Sequence, residues 1–210
     1  MIFKIDPLSY RDIKKKVESI RSKNTRLQSV PVPIEEYIEF DLELDIIPLP
    51  GFRDRFDIDG FLTLDRTAIY ISQELMDKYY NRYRFTLAHE IGHYALHGNL
   101  FDFFRGKLSE SKSSEYTENW KSFVLKFNIN EYSKLEGQAY DFAGILLVPD
   151  DELSVALAKA KEMILNSKLD MRKVNREIIQ GYVNTYLSKR FEVSVDVIGK
   201  RIQKEELKYF

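Results

Sequence analysis

The chain has 210 residues, 44% of them hydrophobic, 31% charged and 13% aromatic, enough apolar side chain for one large core or a tightly joined pair. Lys+Arg 32 against Asp+Glu 33 leaves a net charge of -1, so no global basic field points to nucleic acid or to an anionic membrane. With Cys at 0, disulfide frameworks, thiolate nucleophiles and cysteine-built zinc sites are excluded, and with His at 3 each histidine can be weighed by itself.

In chain order, Ile13, Val17 and Ile20 recur at helical spacing between Pro7 and Leu27 and predict an amphipathic helix. Pro31-Val32-Pro33 interrupts it, and Ile34, Tyr37 and Ile38 suggest a short second helix. Leu42, Leu44 and Ile46 alternate with Glu43 and Asp45 as in a half-buried strand, which Pro48-Leu49-Pro50-Gly51 stops. Gly60–Leu64 and Ala68–Ile71 read as a hairpin through Asp65-Arg66-Thr67, giving a small antiparallel sheet. A long helix follows from Asp77 to His97, with Phe85, Ala88, Ile91 and Ala95 as its buried stripe and Gly98 as its C′ residue. The stretch 99–130 is polar and irregular, with a Ser/Lys/Glu cluster at Ser109–Ser114, and such loops are commonly functional. A helix from Tyr132 to Leu147 ends at Val148-Pro149, and two or three more fill the remainder, Ser194 capping the last.

The expected class is therefore α+β, a small sheet packed on a helical core, with residues 1–150 as the main domain and 151–210 as a helical C-terminal region. No run reaches the roughly 18 apolar residues of a membrane span, and Met1–Asp6 meets acid and proline too early for a secretory leader. A soluble cytoplasmic protein without a membrane partner is the expectation.

All three histidines, His89, His93 and His97, fall on the long helix, and His89-Glu90-Ile91-Gly92-His93 is an HExxH motif. Residues i and i+4 share a face, so both imidazoles can converge on one cation, and Zn²⁺ is the metal that imidazole and carboxylate suit when cysteine is missing. Glu90, beside the first ligand, is placed to act as general acid/base on a water at the metal. The bland alternative is two histidines on the polar face of an ordinary helix; HExxH alone is short enough to arise by chance.

The third ligand is not His97. It lies about 12 Å along the axis from His89, and three successive i, i+4 side chains on one straight helix cannot surround a tetrahedral ion. Leu96 and Asn99 stand where the metzincin pattern HExxHxxGxxH needs Gly and His, and inverted HxxEH is absent. A carboxylate from another element is expected. Position alone leaves Glu136, Glu131 and Asp141 open, and the thermolysin-like Glu-xxx-Asp pattern fails at Tyr140.

The run Arg84-Phe85-Thr86-Leu87-Ala88-His89-Glu90-Ile91-Gly92-His93-Tyr94-Ala95-Leu96-His97 resembles the RFTLAHELGHxxLH signature of the ImmA/IrrE family of zinc metallopeptidases. A second block, Glu136-x-x-Ala139-x-x-Phe142-Ala143-x-x-Leu146-Leu147-x-Pro149, resembles that family's E-x-x-A-x-x-F-A-x-x-L-L-x-P. The paired blocks are far more specific than HExxH. The resemblance, weaker over the rest of 30–205, implies His89, His93 and Glu136 as zinc ligands and Glu90 as catalytic acid/base. It also implies an endopeptidase that cleaves a helix-turn-helix repressor and so releases mobile-element or stress genes. The 43 residues from His93 to Glu136 exceed the spacing expected of the family. Phe101, Phe103, Phe104 and Trp120 could form a flap over the site or simply pack. The strand Ala68–Ser72 could accept an extended substrate if it lies on a sheet edge. Tyr94, Tyr140 and His97 are candidates for the oxyanion partner or for polar support behind the ligands.

Leu187–Ile198 reads like a helix-turn-helix, and Met171–Phe210 carries +4 against -5 for the preceding 170 residues. A DNA-binding regulator is thus the competing class, although +4 is a weak field and helix pairs are common packing units. A catalytically silent partner retaining the metallopeptidase fold is the third; the intact Glu90 argues against it.

Overall fold

The structure, a computed structural model, describes residues 5–108, 129–167 and 175–209. Helix α1 (Tyr10–Lys23) starts at a capping box in which Ser9 Oγ accepts from the Asp12 amide and the Asp12 carboxylate accepts from the Ser9 amide. A single turn, α2 (Ile34–Glu36), continues into a wider turn over Tyr37–Asp41, and strand β1 (Asp45–Leu49) follows. After the short α3 (Phe52–Phe56) come β2 (Gly60–Leu62) and β3 (Ala68–Ser72), the predicted hairpin.

The sheet has the order β1-β3-β2 and is mixed, not antiparallel: β1 pairs with β3 parallel and β2 with β3 antiparallel. The chain leaves β1, reverses through α3 and β2, and the hairpin turns it back, so β3 runs with β1. Pairing starts only at Asp45, because the Leu44 amide is still bonded to the Ile38 carbonyl. It continues through Pro48, whose missing N–H is tolerated on an edge strand.

The long helix predicted from Asp77 is two helices, α4 (Gln73–Lys78) and α5 (Tyr80–Leu96), broken at Tyr79, whose backbone leaves the helical region (φ -130°, ψ 56°). Burial on α5 is far wider than a stripe: Tyr83, Arg84, Thr86, Leu87, Ala88, Glu90, Ile91, Gly92 and His93 are all buried, while Phe85 and Ala95 are only half-buried. Gly98 does not close α5 in a left-handed turn; it opens α6 (Gly98–Leu108), so the segment after His97 begins as helix rather than irregular chain. Phe101 is buried in the core and Phe103 half-buried, which for Phe101 means packing, not a flap. Trp120, the side chain of Phe104 and the Ser109–Ser114 cluster lie outside the described residues.

Helix α7 (Ile129–Leu147) lies against α5. The approach is close because residue 92 has no side chain: a Cβ there would sit 2.9 Å from both the Cα and the carbonyl oxygen of Ala139 and 3.2 Å from Phe142 Cβ. Gly92→Ala is expected to destabilise the fold by roughly 1–3 kcal/mol, since neither backbone can yield cheaply. Urea unfolding with an unchanged midpoint would contradict that.

Three helices complete the chain: α8 (Asp150–Asn166), α9 (Arg176–Phe191) and α10 (Val195–Lys204), the last capped by Ser194 as predicted. The turn between α9 and α10 is clamped onto α5. Arg84, buried, donates to the Glu192 and Val32 carbonyls at 3.3 and 2.8 Å, and Asn81 and Ser188 both donate to the Val193 carbonyl. The basic residues of α10 are committed within the chain. Lys200 sits over the Tyr140 ring at 4.3 Å, Lys204 pairs with Asp141, and Arg201 is held by Asp150, Glu205 and the Val148 carbonyl. One hydrophobic cluster runs from Ile13 on α1 to Ile202 on α10. Among the described residues no helix is long and apolar enough to cross a membrane.

Glu205 is the anionic centre of that junction. Burial opposes its charge, but hydrogen bonds from Lys14, Arg201 and Tyr10 outweigh it and hold the carboxyl at about 2 rather than 4.5. A depressed acid stabilises the fold fully above its unfolded pKa and loses that contribution as pH falls through its folded one. Stability should therefore drop by on the order of 2 kcal/mol between about pH 4.5 and 2 on its account, and Glu205→Gln should flatten that part of the pH–stability curve.

Candidate metal centre

Two consecutive turns of α5 put His89 and His93 side by side, with ring centroids 4.7 Å apart. Their Nε2 atoms face each other at 3.1 Å, and Glu136 on α7 closes the group: its Oε2 is 3.1 Å from His89 Nε2 and its Oε1 is 3.6 Å from His93 Nε2. One ligand atom from each residue falls within 4.8 Å of the others. A tetrahedral divalent ion about 2.1 Å from each donor would set them roughly 3.4 Å apart, close to these separations. Two imidazole nitrogens facing at 3.1 Å beside a carboxylate need a cation or shared protons between them. The donor set fits a metal ion.

Glu90 is fixed by the sheet rather than by its own helix. Thr63 donates to the Ala68 carbonyl and the Asp59 carbonyl accepts from Ser72, so alternate residues of β2 turn their polar groups away from β3. The outward amide of Leu62 donates to Glu90 Oε2 at 2.9 Å, leaving Oε1 without that tether. The free edge on this side of the sheet is thus β2, packed on α5, while β3 is central and paired on both sides. Ala68–Ser72 is therefore not an edge that could take an extended substrate.

Burial raises the Glu90 carboxyl, the Glu136 charge adds to it, and together they outweigh His89 and the Leu62 amide, so Glu90 stands at about 7. Burial would lower His89, but the hydrogen bond to Glu136 and the charges of Glu90 and Glu136 raise it instead. His93 is pushed well down by burial, then by the charges of His89 and His97. The three groups compete for charge in a small buried volume, a competition that a divalent cation between them would relieve.

The triad opens into a cleft of ≈ 290 Å³ whose far wall is charged, with Arg53, Arg82, Asp57 and Asp59. Arg82 donates to Asp59 at 2.6 Å, and Gly60 brings the β2 backbone to the cleft. Of the three carboxylates left open by position, Glu136 joins the histidines. Glu131 instead accepts from the Ile5 amide at 2.7 Å and pairs with Lys134, and Asp141 pairs with Lys204. His97 turns away from the triad: its Nδ1 lies 3.0 Å from His93 Nδ1, behind that ring. Tyr94 is half-buried against the core, and the Tyr140 ring stacks 4.9 Å from Phe85 under Lys200; neither lines the cleft. The phenol that does is Tyr132, one turn before Glu136. It is pushed up to about 12 by burial and by the neighbouring Glu136. Its i, i+4 spacing to Glu136 was a signal available in the sequence. The charged far wall had none, because only the tertiary fold brings it there.

The peptidase family described as the IrrE N-terminal-like domain matches residues 53–203, a span that takes in α5, the histidines, Glu136 and the C-terminal helices. The chain belongs to this family. No curated protein matches the chain. Arg84 and the clamped turn at Glu192 both lie inside the matched span.

Proposed function

We propose that this IrrE-like protein is a zinc-dependent endopeptidase that cleaves a helix-turn-helix transcriptional repressor and so derepresses mobile-element or stress genes. The observation that carries the reading is the convergence of His89, His93 and Glu136 within 4.8 Å beside a Glu90 held by the sheet edge. Those three residues would hold the ion, which supplies polarisation of the scissile carbonyl and acidification of the attacking water when bound. Glu90, anchored at Oε2, takes the water proton at Oε1 and delivers it to the amine nitrogen as the amide C–N bond breaks; the water oxygen ends in the new carboxyl group. Tyr132, whose phenol stays protonated, lines the cleft and would donate to the oxygen on which negative charge develops, a role for which Tyr94, Tyr140 and His97 are the candidates in the sequence. The repressor as substrate rests on the ImmA/IrrE resemblance, and a cytoplasmic site of action follows from that substrate.

DNA binding by the C-terminal helices is disfavoured because Lys200, Arg201 and Lys204 are engaged within the chain. The test is to incubate the zinc-loaded protein with the helix-turn-helix repressor encoded nearest its gene and to map fragments by mass spectrometry. A defined cut, abolished by chelator and restored by zinc, is expected. A repressor that stays intact while a peptide library is hydrolysed would overturn the substrate and leave the peptidase.

A further inference from the structure

Behind the triad a single line of polar contacts runs from His93 to the N-terminal segment. His93 Nδ1 lies 3.0 Å from His97 Nδ1, His97 Nε2 lies 2.9 Å from Gln138 Oε1, and Gln138 Nε2 donates to the Asp6 carbonyl at 2.9 Å. His93, His97 and Gln138 are all buried, so water does not compete for these contacts. The segment is fastened by a second contact, the Ile5 amide on Glu131 Oε2.

The direction of the protons follows from the far end. A backbone carbonyl only accepts, so the amide nitrogen of Gln138 must face Asp6 and its oxygen must face His97. That oxygen also only accepts, so neutral His97 carries its proton on Nε2 and presents a lone pair at Nδ1. His93 must then carry its proton on Nδ1, which leaves the Nε2 lone pair directed at His89 and Glu136. Reversing any link sets two acceptors against each other in a buried place, at a cost of roughly 1–3 kcal/mol.

We infer that the Asp6 carbonyl, Gln138 and His97 are a positioning relay that fixes the tautomer of His93 and so presents its Nε2 to the metal. The inference rests on the proposed metal centre. It makes a segment outside the matched span of 53–203 part of that centre, and it gives the third histidine work other than ligation. A ligand ring whose remote N–H is held in this way binds metal more tightly, because neither ring flip nor tautomer exchange has to be undone on binding.

The test is made on the full chain. Long-range ¹H–¹⁵N correlation spectra of the zinc-free wild type should show His93 protonated at Nδ1 and His97 at Nε2. A His93 proton on Nε2 overturns the relay whether or not any variant folds. Gln138→Leu, checked for cooperative melting, should leave His93 in mixed tautomers and weaken zinc binding about 10–100-fold in competition with a chelating dye. Unchanged tautomers and unchanged affinity in that variant overturn it too. Failure of the wild type to bind zinc would instead remove the metal centre itself, and the zinc-free spectra distinguish the two results.

Discussion

Glu90→Gln is expected to lower kcat for peptide hydrolysis by about 10²–10⁴-fold while leaving the metal content unchanged. The substitution is nearly isosteric, and the amide can still accept from Leu62 through its carbonyl oxygen, so the side chain stays where the sheet edge holds it. What is lost is the capacity to take up and return a proton. The wild-type carboxyl sits in a place where burial and the Glu136 charge have already raised it towards neutrality, so both protonation states are within reach. Single-turnover cleavage with parallel metal analysis checks this. A variant that keeps its metal and cleaves at the wild-type rate would move the proton transfer to another group, and Tyr132 would be the first to examine.

Glu136→Ala should cost zinc affinity more than the roughly 10–100-fold that follows loss of a hydrogen-bond partner behind a ligand. One charged donor disappears, and two imidazoles 3.1 Å apart remain with no anion to neutralise a dication. The helix itself should survive, because Glu136 is only half-buried and α7 also packs on α5 through Ala139 and Phe142 at Gly92. Dialysed protein should therefore fold but carry far less zinc than wild type. Full retention would take Glu136 out of the ligand set.

The residues that were legible in the sequence are those whose signal is local. HExxH needs only the pitch of a helix, and the Ser194 cap and the hairpin through Asp65–Thr67 need only short-range chemistry. Glu136 became distinguishable from Glu131 and Asp141 through the two-block resemblance and not through spacing, since all three lie on α7 and only the packing of α7 on α5 decides which one reaches the histidines. The mixed sheet was hidden because alternation marks a strand but not its neighbour. The break at Tyr79 carries no glycine or proline, and Gly98 reads the same whether it closes one helix or opens the next. Gln138 and Asp6 are 132 residues apart, and no periodicity links them.

His93 and Glu136, two of the proposed ligands, stand 43 positions apart in the chain, so a cation held between them would do more than chemistry. It is a crosslink. A chain with no cysteine has no covalent staple, and a tie closing a loop of this length is worth on the order of 4 kcal/mol by the entropy argument used for disulfides. Metal occupancy would then add to the stability of a chain that also folds without it, and resistance to other proteases would rise with the metal available.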